Sequence, residues 1–193
     1  MSKKNIGLFF GSFNPIHTGH LIIAETIVNT DEIDQVWLVI SPQNPFKKKQ
    51  TLLNQYDRLH LVNLALEGND RIKASTIEFS LPIPSYTIDT LTYLKEKYPD
   101  TNFYLIMGED NLKNFHKWKN YEKILEQYQL IVYPRPGYEN ELYKDHPKVQ
   151  RLYVPKIEIS ATYIRELQKN RKSIRYMVHE KVFDYINKMN LYS

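Results

Sequence analysis

The chain has 193 residues, enough for one domain or one domain with a small lobe, and 42% hydrophobic residues support a buried core. Lys and Arg number 26 against 22 Asp and Glu, a net charge of +4 that favours anionic ligands but is no nucleic-acid footprint by itself. The absence of cysteine excludes disulfides and thiolate metal sites and fits a reducing cytoplasm; no apolar run is long enough for a bilayer, and no signal-peptide core precedes the first strand.

Strand and helix patterns alternate along the chain. The apolar run at residues 6–10 predicts a first strand, and residues 19–29 a helix with a buried face. Strands follow at 35–40, 72–74, 103–107, 130–133 and 152–154, and helices at 54–66, 87–97, 121–128, 161–168 and 176–189. Residues 110–115 suit one more short helix, and loops fill 41–51, 79–85 and 134–148. This order predicts an α/β protein: a Rossmann-like, doubly wound parallel sheet with helices on both faces. The whole chain reads as one domain, with a small C-terminal helical part from residue 158. Ligands of such sheets bind beyond the carboxyl ends of the strands, so the loops after strands one, two, four and six are expected to gather at one site.

The chemistry-bearing residues fall in those loops. After the first strand comes Gly11-Ser12-Phe13-Asn14-Pro15-Ile16-His17-Thr18-Gly19-His20. Gly11 lets the backbone approach a ligand, and Asn14-Pro15 turns the chain. His17 and His20, three apart, share one face of a first helical turn, and Gly19 puts no side chain between them. A strand, a turn and two histidines at a helix mouth suit a phosphate. Two other readings are a simple helix cap and a zinc pair, although no cysteine or nearby third ligand supports the second.

Lys47, Lys48 and Lys49 end the loop after the second strand, where they serve either as a solvated basic loop or as a clamp on phosphate charge. Ser85-Tyr86-Thr87 opens a helix; Ser85 is a suitable N-cap, and the backbone N–H groups that follow suit a carboxylate. Gly108, Asp110 and Trp118 follow the buried fourth strand. There Asp110 could meet ribose hydroxyls, and Trp118 could stack on a flat ring or pack in the core. Arg135 sits between two prolines at a strand end. Ser160 caps the next predicted helix, and Arg165, five residues on, reaches that helix start if its side chain folds back, a combination suited to polyphosphate. His116 has no assigned role and reads as surface.

Gly11-Ser-Phe-Asn-Pro-Ile-His-Thr-Gly-His20 resembles the HxGH signature of the nucleotidyltransferase superfamily, and Ile159-Ser-Ala-Thr-Tyr-Ile-Arg165 resembles its second motif. Ser85-Tyr-Thr-Ile-Asp-Thr-Leu91, the Gly108…Asp110…Trp118 stretch and Lys47 are similar to segments of the nicotinate-nucleotide adenylyltransferases. The likeness runs from Ile6 to Tyr192. Four positions depart from the pattern: Asn44 and Phe46 replace a Pro and a His of the basic loop, Ala161 replaces a Ser, and His179 stands where a helix-starting Pro is common.

The resemblance implies adenylyl transfer from ATP to nicotinate mononucleotide, with Mg²⁺ carried in by ATP and no resident metal. It implies catalytic roles for His17, His20, Lys47 and Arg165. ATP would meet Gly11, Ser12, Phe13, His20, Arg135, Ser160, Thr162 and Arg165. The mononucleotide would meet Asn14, Lys47, Ser85, Tyr86, Thr87, Gly108, Asp110 and Trp118. Neither nucleic acid nor membrane is an expected partner, and a homo-oligomer stays open. Nicotinamide mononucleotide and phosphopantetheine remain rival acceptors, a cytidylyltransferase is a further rival, and a non-catalytic nucleotide sensor on the same fold is the rival outside the enzymes.

Overall fold

The computed structural model describes residues 3–42, 52–155 and 157–193. Six described strands, β1 (Lys4–Gly11), β2 (Gln35–Ile40), β3 (Ile72–Ser75), β4 (Thr101–Gly108), β5 (Gln129–Tyr133) and β6 (Val149–Arg151), form one sheet in the order β3-β2-β1-β4-β5-β6. Every pairing is parallel. The chain winds outward from β1 to β3, then restarts at β4 on the other side of β1. Strand order therefore reverses between β1 and β4, the place where such sheets open a crevice.

The apolar runs of β1 and β2 are unbroken because a parallel sheet is buried on both faces. Alternate residues sort onto two cores. Phe9, Leu38, Ile106 and Ile131 pack with α1 (Thr18–Val28), α2 (Gln55–Ala65), α6 (Ala161–Lys169) and α7 (Glu180–Lys188). Leu8, Val39, Leu105 and Val132 pack with α3 (Thr87–Lys97), α4 (Glu109–Lys113) and α5 (Tyr121–Gln127). Ile164 of α6 and Val182 and Ile186 of α7 are fully buried in the first of these cores. No helix among the described residues is long and apolar enough to cross a membrane.

The doubly wound parallel sheet is as the sequence predicts, with four local differences. The last strand is residues 149–151, not 152–154: Val149 pairs with Leu130, while Val154 turns into the helical core. The last helix starts at Glu180, because the carbonyls of Tyr176 and Met177 accept bonds from Thr18 and Tyr176 has φ 70°. His179 caps it, with Nδ1 accepting from Lys181 N. The short helix after β4 splits into α4 and a 3₁₀ turn at Phe115–Lys117, and a 3₁₀ turn at Ile77–Ser80 follows β3.

Candidate active site

The carboxyl ends of the strands surround a cavity of about 470 Å³. His17 and His20 stand on one side, Arg135 and Arg165 on others, and Ser85, Tyr86, Thr87 and Trp118 farther round. The segments after β3 and β5 contribute as well as those after β1, β2, β4 and β6, so the site draws on more loops than the topology argument requires.

His17 is the N-cap residue of α1 and His20 the third residue of its first turn. Their rings stack with centroids 3.6 Å apart. His17 N–H donates to His20 Nδ1 at 3.3 Å, and a nitrogen that accepts carries no proton, so the His20 ring proton lies on Nε2. Phe13 meets the His20 ring edge-on at 5.0 Å and supports it from the core. His17 is buried, and its Nδ1 has no hydrogen-bond partner among the described residues. Burial, then the positive charge of Arg135, lowers the His17 pKa from 6.5 to about 4. His17 is thus a neutral imidazole near the Arg135 guanidinium. A Cβ on Gly19 would lie 3.0 Å from His17 Nδ1, which is why the position between the histidines is bare.

Gly11 departs from its sequence reading. The space above it is taken by the Phe13 ring, which a Cβ would approach to 2.8 Å, so it is bare for packing more than for a ligand. Phe13 holds that ring with a left-handed backbone, φ 43°. Ser12 gives its carbonyl to Arg58 Nη1 at 2.7 Å. Asn14 is buried and held from both ends: its carbonyl accepts from Arg165 Nη1 at 2.7 Å, and its Oδ1 accepts from Tyr192 OH at 2.9 Å and Leu53 N at 3.3 Å.

Ser160 caps α6 as predicted, its Oγ accepting from Tyr163 N at 3.1 Å. Arg165 does fold back, its second nitrogen donating to Thr162 Oγ1 at 3.2 Å. Ser85 does not cap α3. The N-cap is Tyr86, without a side-chain cap bond, because the helix starts one residue later than the Ser signal suggests. Tyr86 is covered by Lys119 Nζ at 4.7 Å from its ring, and Lys119 also pairs with Asp89 at 2.9 Å. The segment carrying Trp118 is thereby tied to the opening of α3. Trp118 is half-buried; it packs edge-on against Phe115 at 5.5 Å, as its core reading has it, and it also lines the cavity.

Asp110 Oδ1 faces Arg135 Nε at 3.5 Å as an ion pair, and it makes no hydrogen bond among the described residues. A Cβ on Gly108 would strike that Oδ1 at 2.3 Å and Arg135 Cγ at 2.9 Å, so what comes close here is the arginine and its carboxylate. Glu109, buried behind them, accepts from Arg151 at 2.6 Å and from the Arg135 N–H at 3.3 Å, fixing the Arg135 turn. Among the described residues no three His, Cys, Asp or Glu side chains gather as a metal site. Lys47 and its neighbours in the basic loop lie outside the described residues, and His116 is exposed as expected.

Sequence reasoning missed Arg58, Glu78 and Tyr192. Arg58 is fully buried and donates to the carbonyls of Leu53, Ser12, Ser41 and Pro42 at 2.7–3.1 Å. It clasps the loop after β1 to the loop after β2. The signal was present: Arg58 lies on the same face of its helix as Leu61, Val62 and Ala65, an apolar stripe that a solvated charge avoids. For Glu78 and Tyr192, in a 3₁₀ turn and a terminal segment, no periodic pattern exists to read.

Fold and site define the class: an enzyme of nucleotidyl transfer, built on a doubly wound sheet with paired imidazoles at its switch point. Residues 8–167 match the cytidylyltransferase-like family. The chain is 56% identical over 188 residues to the probable nicotinate-nucleotide adenylyltransferase of Cytophaga hutchinsonii, covering 97% of this chain and 98% of that protein. Against the protein of the same name from Bacteroides thetaiotaomicron it is 44% identical, with coverage of 96% and 92%. The solved structure of Plasmodium falciparum nicotinic acid mononucleotide adenylyltransferase complexed with NaAD superimposes with a TM-score of 0.85 at 26% identity, covering 98% of this chain and 97% of that one. The chain belongs to the nicotinate-nucleotide adenylyltransferase family.

Proposed function

We propose that the chain transfers the adenylyl group of ATP to nicotinate mononucleotide, giving nicotinate adenine dinucleotide and pyrophosphate, in the cytoplasm. One observation carries the reading. The stacked pair His17 and His20 faces the same cavity as Arg135, Arg165 and the capped start of α6 on one side, and the α3 opening with Trp118 on another. That is room for a triphosphate and for a ring-bearing anion in a single space.

The acceptor's phosphate oxygen attacks the α-phosphorus of ATP in line. One P–O bond forms, and the bond to the bridging oxygen breaks, its electron pair leaving with pyrophosphate. The attacking group is already an anion, so neither a general base nor a covalent enzyme intermediate is required. The barrier is the approach of two anions and the charge gathering around phosphorus, which positioned donors lower. His20 Nε2–H and His17 hold the α-phosphate and bridging oxygens. Arg165, Arg135 and Lys47 neutralise the remaining phosphate charge. Ser160 and Thr162 frame the α6 end, and Gly11, Ser12 and Phe13 shape the floor. The amides at Ser85–Thr87 receive the ring carboxylate, Trp118 stacks on the ring, and Asn14, Gly108 and Asp110 border the mononucleotide. Mg²⁺ enters with ATP as part of the substrate, held through phosphate and water.

The test is pyrophosphate release with ATP and a panel of nicotinate mononucleotide, nicotinamide mononucleotide and phosphopantetheine. Highest kcat/KM with nicotinate mononucleotide is expected. Silence with every acceptor would leave a nucleotide sensor.

A further inference from the structure

Glu78 is a carboxyl group with 2% exposure in the wall of the cavity, on the 3₁₀ turn between β3 and α3. Thr90 Oγ1, fully buried on α3, donates to its Oε1 at 2.9 Å. The hydroxyls of Ser41, past the end of β2, and Ser85, before α3, face the same carboxyl. Its Oε2 is buried without a hydrogen-bond partner among the described residues. A buried carboxylate without a cation is costly, whereas the neutral acid brings one O–H donor and a remaining acceptor. Burial accordingly pushes the Glu78 carboxyl up from the usual carboxylate range, countered in part by the Thr90, Ser41 and Ser85 hydroxyls.

The residues that meet here come from the end of β2 and the first turns of α3, the walls flanking the amides at Ser85–Thr87. We propose that Glu78 is a positioning residue of the acceptor subsite, whose carboxyl group joins Ser41, Ser85 and Thr90 into one wall and so sets the α3 amides against the acceptor's ring carboxylate. This rests on the reading that the α3 end of the cavity takes the mononucleotide. The wall acts through the hydrogen bonds that the carboxyl oxygens accept from these hydroxyls. An amide oxygen accepts the same bond from Thr90.

The test is steady-state kinetics of the full chain with ATP and nicotinate mononucleotide varied separately. Glu78→Ala is expected to raise the acceptor KM about ten-fold or more while the ATP KM stays within about two-fold, and Glu78→Gln to keep the acceptor KM within about three-fold of the parent. An acceptor KM unmoved by Ala, or both KM values rising together, overturns the proposal. So does Gln as impaired as Ala, since an amide oxygen still accepts from Thr90. If the Ala protein does not fold, Glu78→Gln and Thr90→Val still decide it: Val removes the donor to Oε1 and is expected to raise the acceptor KM alone. A parent enzyme active only with a different acceptor defeats the underlying reading, and that outcome is visible before any variant is made.

Discussion

Arg165 Nη1 donates to the main-chain carbonyl of Asn14 at 2.7 Å, joining residues 151 apart in sequence. With Tyr192 OH on the Asn14 side chain, the turn that presents the two histidines is held from α6 and from the segment after α7. One guanidinium that lines the cavity is therefore also tied to the histidine turn, and the proposed reaction gives it phosphate charge to meet as well.

Arg165→Lys tests that double duty. A lysine keeps the charge but cannot reach Asn14 O and Thr162 Oγ1 together with a fixed fork. We expect kcat/KM for ATP to fall about ten- to a hundred-fold, measured at saturating acceptor. A loss under two-fold would mean that only the charge counts.

His17 makes stability depend on pH. Its pKa is about 4 when folded and 6.5 as a free side chain, so protonation favours the unfolded chain. Its contribution is complete above pH 6.5 and is lost as pH falls toward 4, of order 3 kcal/mol in all. His17→Gln is expected to lose less stability between pH 7 and pH 4.5 than the parent in urea unfolding. Equal losses would remove His17 as the source.

Arg58 is placed to stabilise both loops at once. Arg58→Met leaves the carbonyls of Ser12, Ser41 and Pro42 without this donor in a buried setting. Denaturant unfolding is expected to show a loss of about 3 kcal/mol, with kcat reduced at temperatures where the variant is folded. A change below about 0.5 kcal/mol, the range of ordinary surface substitutions, would contradict the role.

Gly108→Ala inserts a methyl group 2.3 Å from Asp110 Oδ1 and 2.9 Å from Arg135 Cγ. The Arg135–Asp110 pair has to move. The ATP KM should rise about ten-fold, read in the same pyrophosphate assay. An unchanged KM would take Arg135 out of the ATP site.

Much of this was legible in the sequence because the signals are local. The unbroken apolar runs of β1 and β2 announce a parallel sheet, and His17 and His20 are brought together by helix periodicity alone. Ser160 reads as a cap and is one. What was not legible depends on contacts between distant segments. Ser85 looks like a cap, but Tyr86 occupies that position in the folded chain. The last helix starts late because the carbonyls of Tyr176 and Met177 bond Thr18, a tertiary contact that overrides helix propensity. Gly11 reads as space for a ligand, yet Phe13 fills it. Glu78 lies in a four-residue turn with no period, so only its surroundings reveal it.

In the proposed reaction the His20 imidazole serves the transition state of adenylyl transfer. This role is tested most directly by kcat of His20→Ala in pyrophosphate release from ATP and nicotinate mononucleotide. A fall of about 10²–10³-fold, like the loss of one preorganised donor, is the expected result. A kcat within a few-fold of the parent would contradict it.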